Sequence, residues 1–351
     1  MRKQKLKRSI YVACFIVLLL ILFSGCSKNK TDATEDQQTE ASIEVFAMDT
    51  YMTLKVYGKK PEATLEDAKK EIERLDQLWS TGNSKSEIYQ LNQKKTMKVS
   101  KETINLIKIG KEMNQKTNEI FDITIYPLMK LWGFTNEKYK VPSNKEIKKI
   151  LKSNIGADNV EIDEKNNTVT LKNNAQIDLG GIAKGYTSQR VAKLLEKEGI
   201  YHGVISLGGN VQSIGKKIDG SRWKVGIQAP NDSMEMVGTY ESFEESVITS
   251  GGYERYFKKD GKTYHHILNP ATGKPSQEDL LSVTIISKDG TLADSLSTSL
   301  FIMGKDKAIA YWKENAKQFQ IILVDKNSKI YISEGIEKYF TSDYKYKVVK
   351  K

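Results

Sequence analysis

The chain has 351 residues, and its 55 Lys and Arg residues outnumber its 44 Asp and Glu residues, giving a formal net charge of +11 at pH 7. Its two cysteines are Cys14 and Cys26, both close to the N-terminus. A core built from the remaining sequence therefore holds no disulfide, cysteine nucleophile or thiolate metal site. Basic residues are not interleaved with aromatic residues in any one stretch, so nucleic-acid binding is not predicted.

The first 25 residues have the pattern of a secretory signal. Five basic residues precede an apolar run that is short for a bilayer span, and the run ends in LFSGC, which resembles a lipobox. This pattern predicts a lipoprotein signal at 1–25 and lipidation of Cys26. Its removal takes away five basic and no acidic residues, so the net charge falls from +11 to about +6. The alternative is an ordinary signal peptide that happens to end beside a cysteine.

The next segment, 26–42, is polar and acidic, which is typical of a solvated tether. Residues 43–351 are predicted to form a single domain. Alternating apolar residues predict strands over 42–57, and apolar residues at helical spacing predict helices over 65–78 and 101–115. A hairpin is predicted over 159–171, with its turn at 164–167.

Later strands are predicted at 204–207, 223–227, 246–249, 281–286, 320–324 and 329–332. Helices and strands are mixed without a regular strand–helix–strand alternation. The predicted fold class is therefore α+β.

Residues 178–185 read DLGGIAKG and combine a carboxylate, a glycine pair, a lysine and a third glycine. The apolar run before them is typical of a strand end, and residues 186–198 are predicted to be a helix. At such a junction, free backbone N–H groups and the helix dipole favour a phosphate, and glycine permits close approach. The alternative is a tight turn in which glycine supplies a positive φ.

Residues 292–300 read LADSLSTSL and place Asp294 and Thr298 one helical turn apart on one face. Two hard oxygen ligands at this spacing suit Mg²⁺, which would lie well against a diphosphate. The alternative is a helix N-cap at Asp294 with a threonine hydroxyl bonded back to the preceding turn.

Eight segments together resemble the ApbE family, the FAD:protein FMN transferases, and occur in the family's order. They are FAMDTYMTLKVYG (46–58), IERLDQLWST (72–81), FDITIYPLMKLWGF (121–134), DLGGIAKGY (178–186), ISLGGNVQSIG (205–215), TSGGYERYF (249–257), YHHILNPATGKP (264–275) and LADSLSTSLFIMG (292–304). The resemblance runs from about Ala47 to the C-terminal strands and is strongest to lipoproteins of Gram-positive bacteria.

The resemblance implies an ApbE-like two-lobed α+β fold, with mixed sheets and a flavin-nucleotide cleft between the lobes. It also implies Mg²⁺-dependent transfer of FMN from FAD to Thr or Ser hydroxyls of acceptor proteins, with release of AMP. The acceptors would belong to an extracytoplasmic electron-transfer system. The enzyme would be lipid-anchored on the extracytoplasmic face of the plasma membrane.

Residue by residue, the resemblance implies metal ligation by Asp294, Thr298 and the carbonyl of Ala183. Ser297 either supplies a further hydroxyl ligand or makes a hydrogen bond to one of the ligands. The catalytic residues implied are Asp294 and His266, the latter binding the diphosphate or relaying a proton. The implied nucleotide-binding residues are Met48, Ile120, Phe121, Asp122, Asp178, Gly180, Gly181, Lys184, His266 and Leu268. For Met48 and Phe121, core packing is the alternative.

Three positions depart from the family pattern. Gly82 follows Ser80 and Thr81 where the family often has a ligand-stacking tyrosine, so either Trp79 or another aromatic residue takes that role or the ligand is held less tightly. Asn269 stands where aspartate is usual. His265 stands where serine is common.

Two other functions remain open from the sequence. One is FAD pyrophosphatase activity, in which water replaces the acceptor hydroxyl and FMN and AMP are released. The other is a non-catalytic FAD-binding lipoprotein, although a carrier gains little from a bound Lewis acid. A P-loop is disfavoured because GGIAKGYT lacks the GK[ST] ending.

Overall fold

The computed structural model describes residues 38–351, and the predicted signal segment and Cys26 lie outside the described residues. Within this range a nine-stranded sheet forms the centre of the domain. Its strands, in spatial order, are β1 (Thr39–Ala47), β2 (Thr50–Gly58), β6 (His202–Leu207), β7 (Asn210–Ile214), β10 (Ser246–Gly251), β15 (Leu280–Ser287), β16 (Gln320–Asp325), β17 (Ile330–Ser333) and β19 (Tyr346–Val349). All neighbours are antiparallel except β17 and β19, so the sheet is mixed.

The middle of this sheet is buried on both faces. On β16, Ile321 and Leu323 face one apolar cluster, whereas Ile322 and Val324 face another. A strand covered on both sides has no solvent face, so its sequence, QIILVD, is a continuous apolar run rather than an alternating one.

Three helices cover one face of the sheet: α1 (Pro61–Trp79), α6 (Ala183–Lys197) and α7 (Gly290–Met303). Ile72 of α1 and Val191 of α6 pack with Leu54 of β2 in one buried cluster. Helix α7 differs because its own residues are apolar or small around its whole circumference, and nearly all of them are buried. It is therefore a central core helix rather than an amphipathic surface helix.

The opposite face carries a three-stranded sheet in the order β18 (Phe340–Thr341), β9 (Asp232–Ser242), β8 (Trp223–Ala229). A second small sheet has the order β3 (Thr96–Lys98), β5 (Thr168–Leu171), β4 (Val160–Asp163). Two hairpins, β11 (Tyr256–Lys259) with β12 (Lys262–His265) and β13 (Leu268–Asn269) with β14 (Lys274–Pro275), follow β10 along the chain.

The remaining helices are α2 (Glu87–Lys94), α3 (Lys101–Lys116), α4 (Tyr126–Trp132), α5 (Asn144–Ser153) and α8 (Lys305–Asn315). Short 3₁₀ helices occur at Ile123–Ile125, Ala157–Asn159 and Glu334–Tyr339. Helix α5 begins with a capping box between Ser143 and Glu146. No helix within residues 38–351 has the length and apolar content needed to cross a bilayer.

The α+β class is confirmed, and residues Gln37–Lys351 form one compact unit. Two details differ from the sequence predictions. Strand β1 begins at Thr39, so the last residues of the predicted tether belong to the sheet. Residues 176–179 form no strand, because the backbone of Ile177 is bonded to the Asn92 side chain instead of a neighbouring strand.

Candidate active site

Helices α6 and α7 meet backbone to backbone at the centre of the site. A Cβ atom added to Gly185 would lie 2.1 Å from the carbonyl oxygen of Gly290, and one added to Gly290 would lie 2.6 Å from that of Gly185. This close approach lets the Gly185 N–H donate to Oδ2 of Asp294 at 2.8 Å. The two motifs predicted from the sequence are thus joined by a direct hydrogen bond.

Asp294 lies inside α7 and is only 4% exposed. The N-cap of α7 is Asp289, whose Oδ1 accepts the Leu292 N–H at 3.0 Å. The alternative interpretation of Asp294 as a helix cap is therefore wrong. No hydrogen bond to Oδ1 of Asp294 is found among residues 38–351, which leaves this oxygen available to a ligand.

Two of the hydroxyl residues that follow Asp294, Ser297 and Thr298, have different surroundings. Ser297 is fully buried, donates to the Asp294 carbonyl at 2.8 Å and lies 2.7 Å from Ser250 Oγ. Thr298 is partly exposed, and its Oγ1 lies 3.4 Å from Ser250 Oγ. Thr298 is therefore the more accessible of the two hydroxyls, whereas Ser297 is bonded to both Asp294 and Ser250 and joins α7 to strand β10.

The start of α6 offers fewer free donors than the sequence predicted. The N–H groups of Ile182 and Ala183 both donate to the carbonyl of Leu179, and that of Gly180 donates to Oδ1 of Asp178 at 2.8 Å. Within the described part of the chain, no partner is found for the N–H groups of Gly181 and Lys184. These two N–H groups and the Lys184 ammonium group remain for an anion.

The glycine pair does not supply positive φ angles, so the alternative of a turn that requires them is wrong. Gly180 is exposed, and an added Cβ would meet only Oδ1 of Asp178, at 3.0 Å. At Gly181 an added Cβ would lie 3.0 Å from Cε2 of Phe121. Gly181 thus makes room for a ring of the protein itself, whereas Gly180 leaves open space on the solvent side.

Asp178 lies at the start of this turn, and charged groups of both signs lie near its carboxyl group. Burial raises the pKa of its carboxyl group, while the Gly180 N–H and the positive charges of Arg255 and Lys184 oppose the rise. The negative charge of Asp49, in the β1–β2 turn, raises the pKa of Asp178 further. The turn residues Met48 and Asp49 both have positive φ, as a two-residue type I′ hairpin requires.

His266 is held by the chain segment that follows β10. Its Nδ1 lies 3.2 Å from the carbonyl oxygen of Arg255, which also accepts the His266 backbone N–H at 3.0 Å. A carbonyl can only accept, so Nδ1 carries the proton and Nε2 is left as an acceptor. Burial, followed by the positive charge of Arg255, lowers the pKa of His266 to about 3, so the ring is neutral near pH 7.

The neighbouring His265 points into the protein. Its Nε2 lies 2.8 Å from the Ser276 carbonyl oxygen, and its ring packs edge-on against Phe301 at 5.4 Å between centroids. Burial lowers its pKa as well. Two adjacent histidines thus have different surroundings, and His266 is the one beside Arg255 and Lys184.

Several of the nucleotide-binding residues implied by the resemblance have mainly structural contacts. Phe121 is 5% exposed, and Ile120 packs against the same cluster. Asp122 caps a 3₁₀ helix, where Oδ1 accepts both the N–H and the hydroxyl of Thr124 at 2.7 and 2.6 Å. Leu268 is 4% exposed in a separate cluster with Trp132. Met48 is half-buried, with its sulfur 3.8 Å from Oγ1 of Thr187 at the side of α6.

The expected ring-stacking role of Trp79 is wrong. This indole is 4% exposed, donates to Thr103 Oγ1 at 3.0 Å and packs edge-on against Tyr186. Gly82 leaves open surface, since an added Cβ would meet only Ser80 Oγ at 3.9 Å. Asn269 closes a turn by accepting the Ala271 N–H at 2.9 Å, a role that needs no charge.

Sequence reasoning assigned no role to Ser250, Glu254 or Arg255, although their segment, TSGGYERYF, was part of the resemblance. The structure places Ser250 against Thr298, and Arg255 beside His266 and Asp178. Burial raises the pKa of Glu254, opposed by Lys184. The sequence feature that could have indicated this part of the site is the pair Gly251–Gly252 at the end of β10, followed closely by the opposite charges of Glu254 and Arg255.

The oxygen donors present suit a hard divalent cation. No group of three or more His, Cys, Asp and Glu side chains able to hold a metal is found within residues 38–351. Asp294 Oδ1, Thr298 Oγ1 and the Ala183 carbonyl would instead form a partial set, which Mg²⁺ completes with water and phosphate oxygens. The residues therefore fit Mg²⁺ bound together with a phosphorylated ligand.

Comparison with known proteins agrees with this geometry. A model of the ApbE family matches residues 48–323. The FAD:protein FMN transferase of Klebsiella pneumoniae (strain 342) is 32% identical over 297 residues, which cover 83% of this chain and 91% of that protein. The FAD:protein FMN transferase of Escherichia coli (strain K12) is 28% identical over 300 residues, or 82% of this chain and 85% of that protein.

Solved structures give the same result. The ApbE protein of Thermotoga maritima superposes with a TM-score of 0.80 at 34% identity, covering 86% of this chain and 99% of that one. The flavin transferase ApbE from Vibrio cholerae superposes with a TM-score of 0.77 at 26% identity, with the same coverage. Since the family model spans most of the described residues and the fold agrees with these structures, the chain belongs to the ApbE family.

Proposed function

We propose that this protein transfers FMN from FAD to a Thr or Ser hydroxyl of an acceptor protein, with Mg²⁺ bound beside the diphosphate. The observation that carries the proposal is the hydrogen bond from Gly185 to Asp294, which joins a helix start with unpaired N–H groups to a carboxylate with an unpaired oxygen among the described residues. An Mg²⁺–diphosphate pair needs both kinds of group next to each other. Family membership supports the same activity, because the relatives described above are FAD:protein FMN transferases.

In the proposed reaction, the acceptor hydroxyl oxygen attacks the phosphorus on the FMN side of the diphosphate. A new P–O bond forms to the acceptor, the P–O bond to AMP breaks, and the hydroxyl loses its proton. Asp294, Thr298 and the Ala183 carbonyl would hold Mg²⁺, which neutralises charge on the diphosphate when bound. Ser297 is left out of this ligand set because its hydroxyl is buried and bonded to Asp294 and Ser250.

The protein side chains and N–H groups would position the substrates and neutralise the diphosphate charge, and none forms a covalent bond to the flavin nucleotide. The N–H groups of Gly181 and Lys184, with the Lys184 ammonium group, would bind phosphate oxygens. His266 is neutral and presents Nε2 as a hydrogen-bond acceptor that would orient the incoming hydroxyl, whose proton is finally released to solvent. No cysteine occurs in residues 38–351, so direct transfer between FAD and the acceptor is favoured over a cysteinyl intermediate.

The test is incubation of the purified protein with FAD and Mg²⁺, with and without a candidate flavin-acceptor domain. We expect an acceptor mass increase of one FMN unit and AMP release that accelerates sharply when the acceptor is present. A docked hydroxyl has a proximity advantage that free water lacks. Rapid FMN and AMP production that ignores the acceptor would favour a pyrophosphatase, and FAD binding without turnover would favour a carrier.

We further propose that the enzyme is lipid-anchored through Cys26 on the extracytoplasmic face of the plasma membrane and serves acceptors of an electron-transfer system there. The support is the sequence pattern of residues 1–26. Replacing Cys26 with Ser should allow a high-salt wash to release an active, unlipidated enzyme from the membrane. Retention of the processed variant in the membrane fraction after that wash would contradict the anchor.

A further inference from the structure

The nine-stranded sheet has two chemically different ends. At one end lie the β1–β2 turn, with Met48 and Asp49, and the C-terminus of β10, which leads into Arg255 and His266. At the other end, Thr39 pairs with Gly58, and Tyr57 pairs with His202. The nine residues of β2 separate these ends by roughly 26 Å at about 3.3 Å per residue.

We name the second end the entry face, defined by three loops: 59–60 after β2, 198–201 before β6, and 215–222 after β7. These loops are neighbours in space. Gly203 of β6 pairs with Ile214 of β7, and His202 Nδ1 lies 2.7 Å from the Lys216 carbonyl oxygen. Because β1 begins at Thr39 on this face, the residues that precede β1 join the domain here.

The entry face is basic and carries exposed apolar side chains. Tyr201 is 61% exposed and Ile218 is 54% exposed. Its loops contain two lysine pairs and one arginine, namely Lys59, Lys60, Lys216, Lys217 and Arg222. The two acidic residues in the same loops are Glu198 and Asp219, and Asp219 is engaged by the N–H and hydroxyl of Ser221 at 2.8 and 2.6 Å.

Aromatic rings hold the basic groups along the margin of this face. The Arg222 guanidinium lies 4.1 Å from the centroid of Tyr339, whose ring also lies 4.6 Å from Lys338 Nζ. Lys216 and Lys217 lie 5.6 and 6.0 Å from the rings of Phe243 and Trp223. The acidic residues at this margin include Glu196, Glu244 and Glu245; Glu196 lies near Glu244, and Glu245 accepts the Tyr240 hydroxyl at 2.8 Å.

We propose that the entry face docks on an anionic phospholipid surface and so fixes the orientation of the domain. Lysines attract lipid phosphates, and exposed Tyr and Ile side chains insert at the headgroup boundary. This proposal rests on the proposed lipidation of Cys26, which would bring the basic face beside the start of β1 next to the membrane. In this orientation the active site lies at the far end of the sheet and opens away from the membrane.

The test uses a chain that starts at Ser27, so that neither the apolar N-terminal segment nor a lipid can itself bind a vesicle. All four apolar clusters of the domain lie within residues 38–351, and circular dichroism verifies folding. Co-sedimentation is measured with vesicles of phosphatidylcholine alone and of phosphatidylcholine mixed equally with phosphatidylglycerol. We expect binding to the mixed vesicles only, and its loss in high salt.

The decisive variant is Lys216→Glu with Lys217→Glu. Loss of two surface-bound lysines corresponds to a drop in vesicle affinity of about 30-fold, and charge reversal increases it further. The matched control is Lys148→Glu with Lys149→Glu, which makes the same charge change on the exposed face of α5. Both variants should retain FMN transfer to a soluble acceptor, so failure of docking and failure of the transferase assignment are separate results.

Three results would overturn the proposal: equal binding to neutral and anionic vesicles, equal losses in the two double variants, or equally tight binding of a DNA fragment at the same salt. The last result would indicate a general polyanion surface. If the charge variants express poorly, a second measurement tests the proposal without them. A solvatochromic dye on Ile218→Cys should shift to the blue on anionic vesicles, whereas the same dye on the exposed Met234→Cys should not.

Discussion

The two halves of the active site are built in opposite ways. The turn at 178–182 lies partly at the surface; Asn92 holds Ile177 just before it, and the Gly180 N–H donates to Asp178 within it. The middle of α7 is buried, and Thr298 is one of its few partly accessible residues. The turn therefore presents backbone N–H groups, whereas the helix presents two side-chain oxygens. A phosphate and a cation need these two different surfaces.

The largest effect is expected from substitution of Asp294, the proposed metal ligand in the buried helix. In Asp294→Asn, an oxygen remains for the Gly185 N–H but the charge is lost, so we expect FMN transfer to fall by at least about a hundredfold with little change in Tm. In Asp294→Ala, the Gly185 N–H is also left without a partner, which lowers the free energy of unfolding by about 1–3 kcal/mol. Steady-state kinetics and thermal melts separate the two effects. An Asn variant with near-wild-type transfer would contradict the metal assignment.

The adjacent hydroxyl residues sharpen the comparison within α7. Thr298→Val removes a proposed metal ligand while preserving shape, so we expect transfer to fall about tenfold or more and to recover partly with excess Mg²⁺. Ser297→Ala removes a buried hydrogen bond, so it should lower the free energy of unfolding by about 1 kcal/mol and affect transfer less. Reversed effects in Mg²⁺ titrations of the two variants would show that Ser297 is the ligand.

The glycine pair gives the corresponding comparison within the turn. A methyl group at Gly180 would meet only Asp178 Oδ1, at 3.0 Å, and this exposed turn can yield by a few tenths of an ångström. Gly180→Ala should therefore fold and weaken FAD binding by several-fold if the backbone lies against the diphosphate. Gly181→Val collides with Phe121, so its main effect should be a lower Tm. Calorimetric titration of FAD into Gly180→Ala decides the matter, and unchanged affinity would remove Gly180 from the binding site.

The smallest expected effect concerns His266 and pH. Its pKa of about 3 in the folded protein lies below the value of about 6.5 expected when unfolded. The unfolded state therefore binds more protons between these values, so stability falls as pH drops through this window. The wild type should lose more unfolding free energy between pH 7 and pH 5 than His266→Gln does. Equal losses in urea titrations would show that the ring is not held neutral.

The sequence predicted the α7 face well because helical spacing alone places Asp294 and Thr298 together. It could not tell Ser297 from Thr298, since LADSLSTSL has small polar residues on every side and only the position of β10 decides which one is buried. The apolar residues Ile177 and Leu179 suggested a strand. The backbone of Ile177 is instead bonded to Asn92, 85 residues away, and local periodicity carries no information about such a partner.

The same limit explains the errors at Trp79 and at the start of α6. An aromatic residue beside a gap in a motif was a reasonable substitute for a missing ring, but the Thr103 hydroxyl keeps the indole in the core. The number of free N–H groups at a helix start depends on whether nearby carbonyls and carboxylates already use them. Leu179 and Asp294 do so here, and only the folded chain shows it.

The contact between Gly185 and Gly290 has a consequence for how this protein tolerates variation. Neither residue offers a side chain to a ligand, yet each would place a Cβ within 2.6 Å of the other's carbonyl oxygen. In a saturation mutagenesis library scored by flavinylation, both positions should therefore accept almost no substitution, including alanine. Two sites far apart in sequence would then be depleted together for a purely steric reason, and a substitution at one could not be compensated by any change at the other.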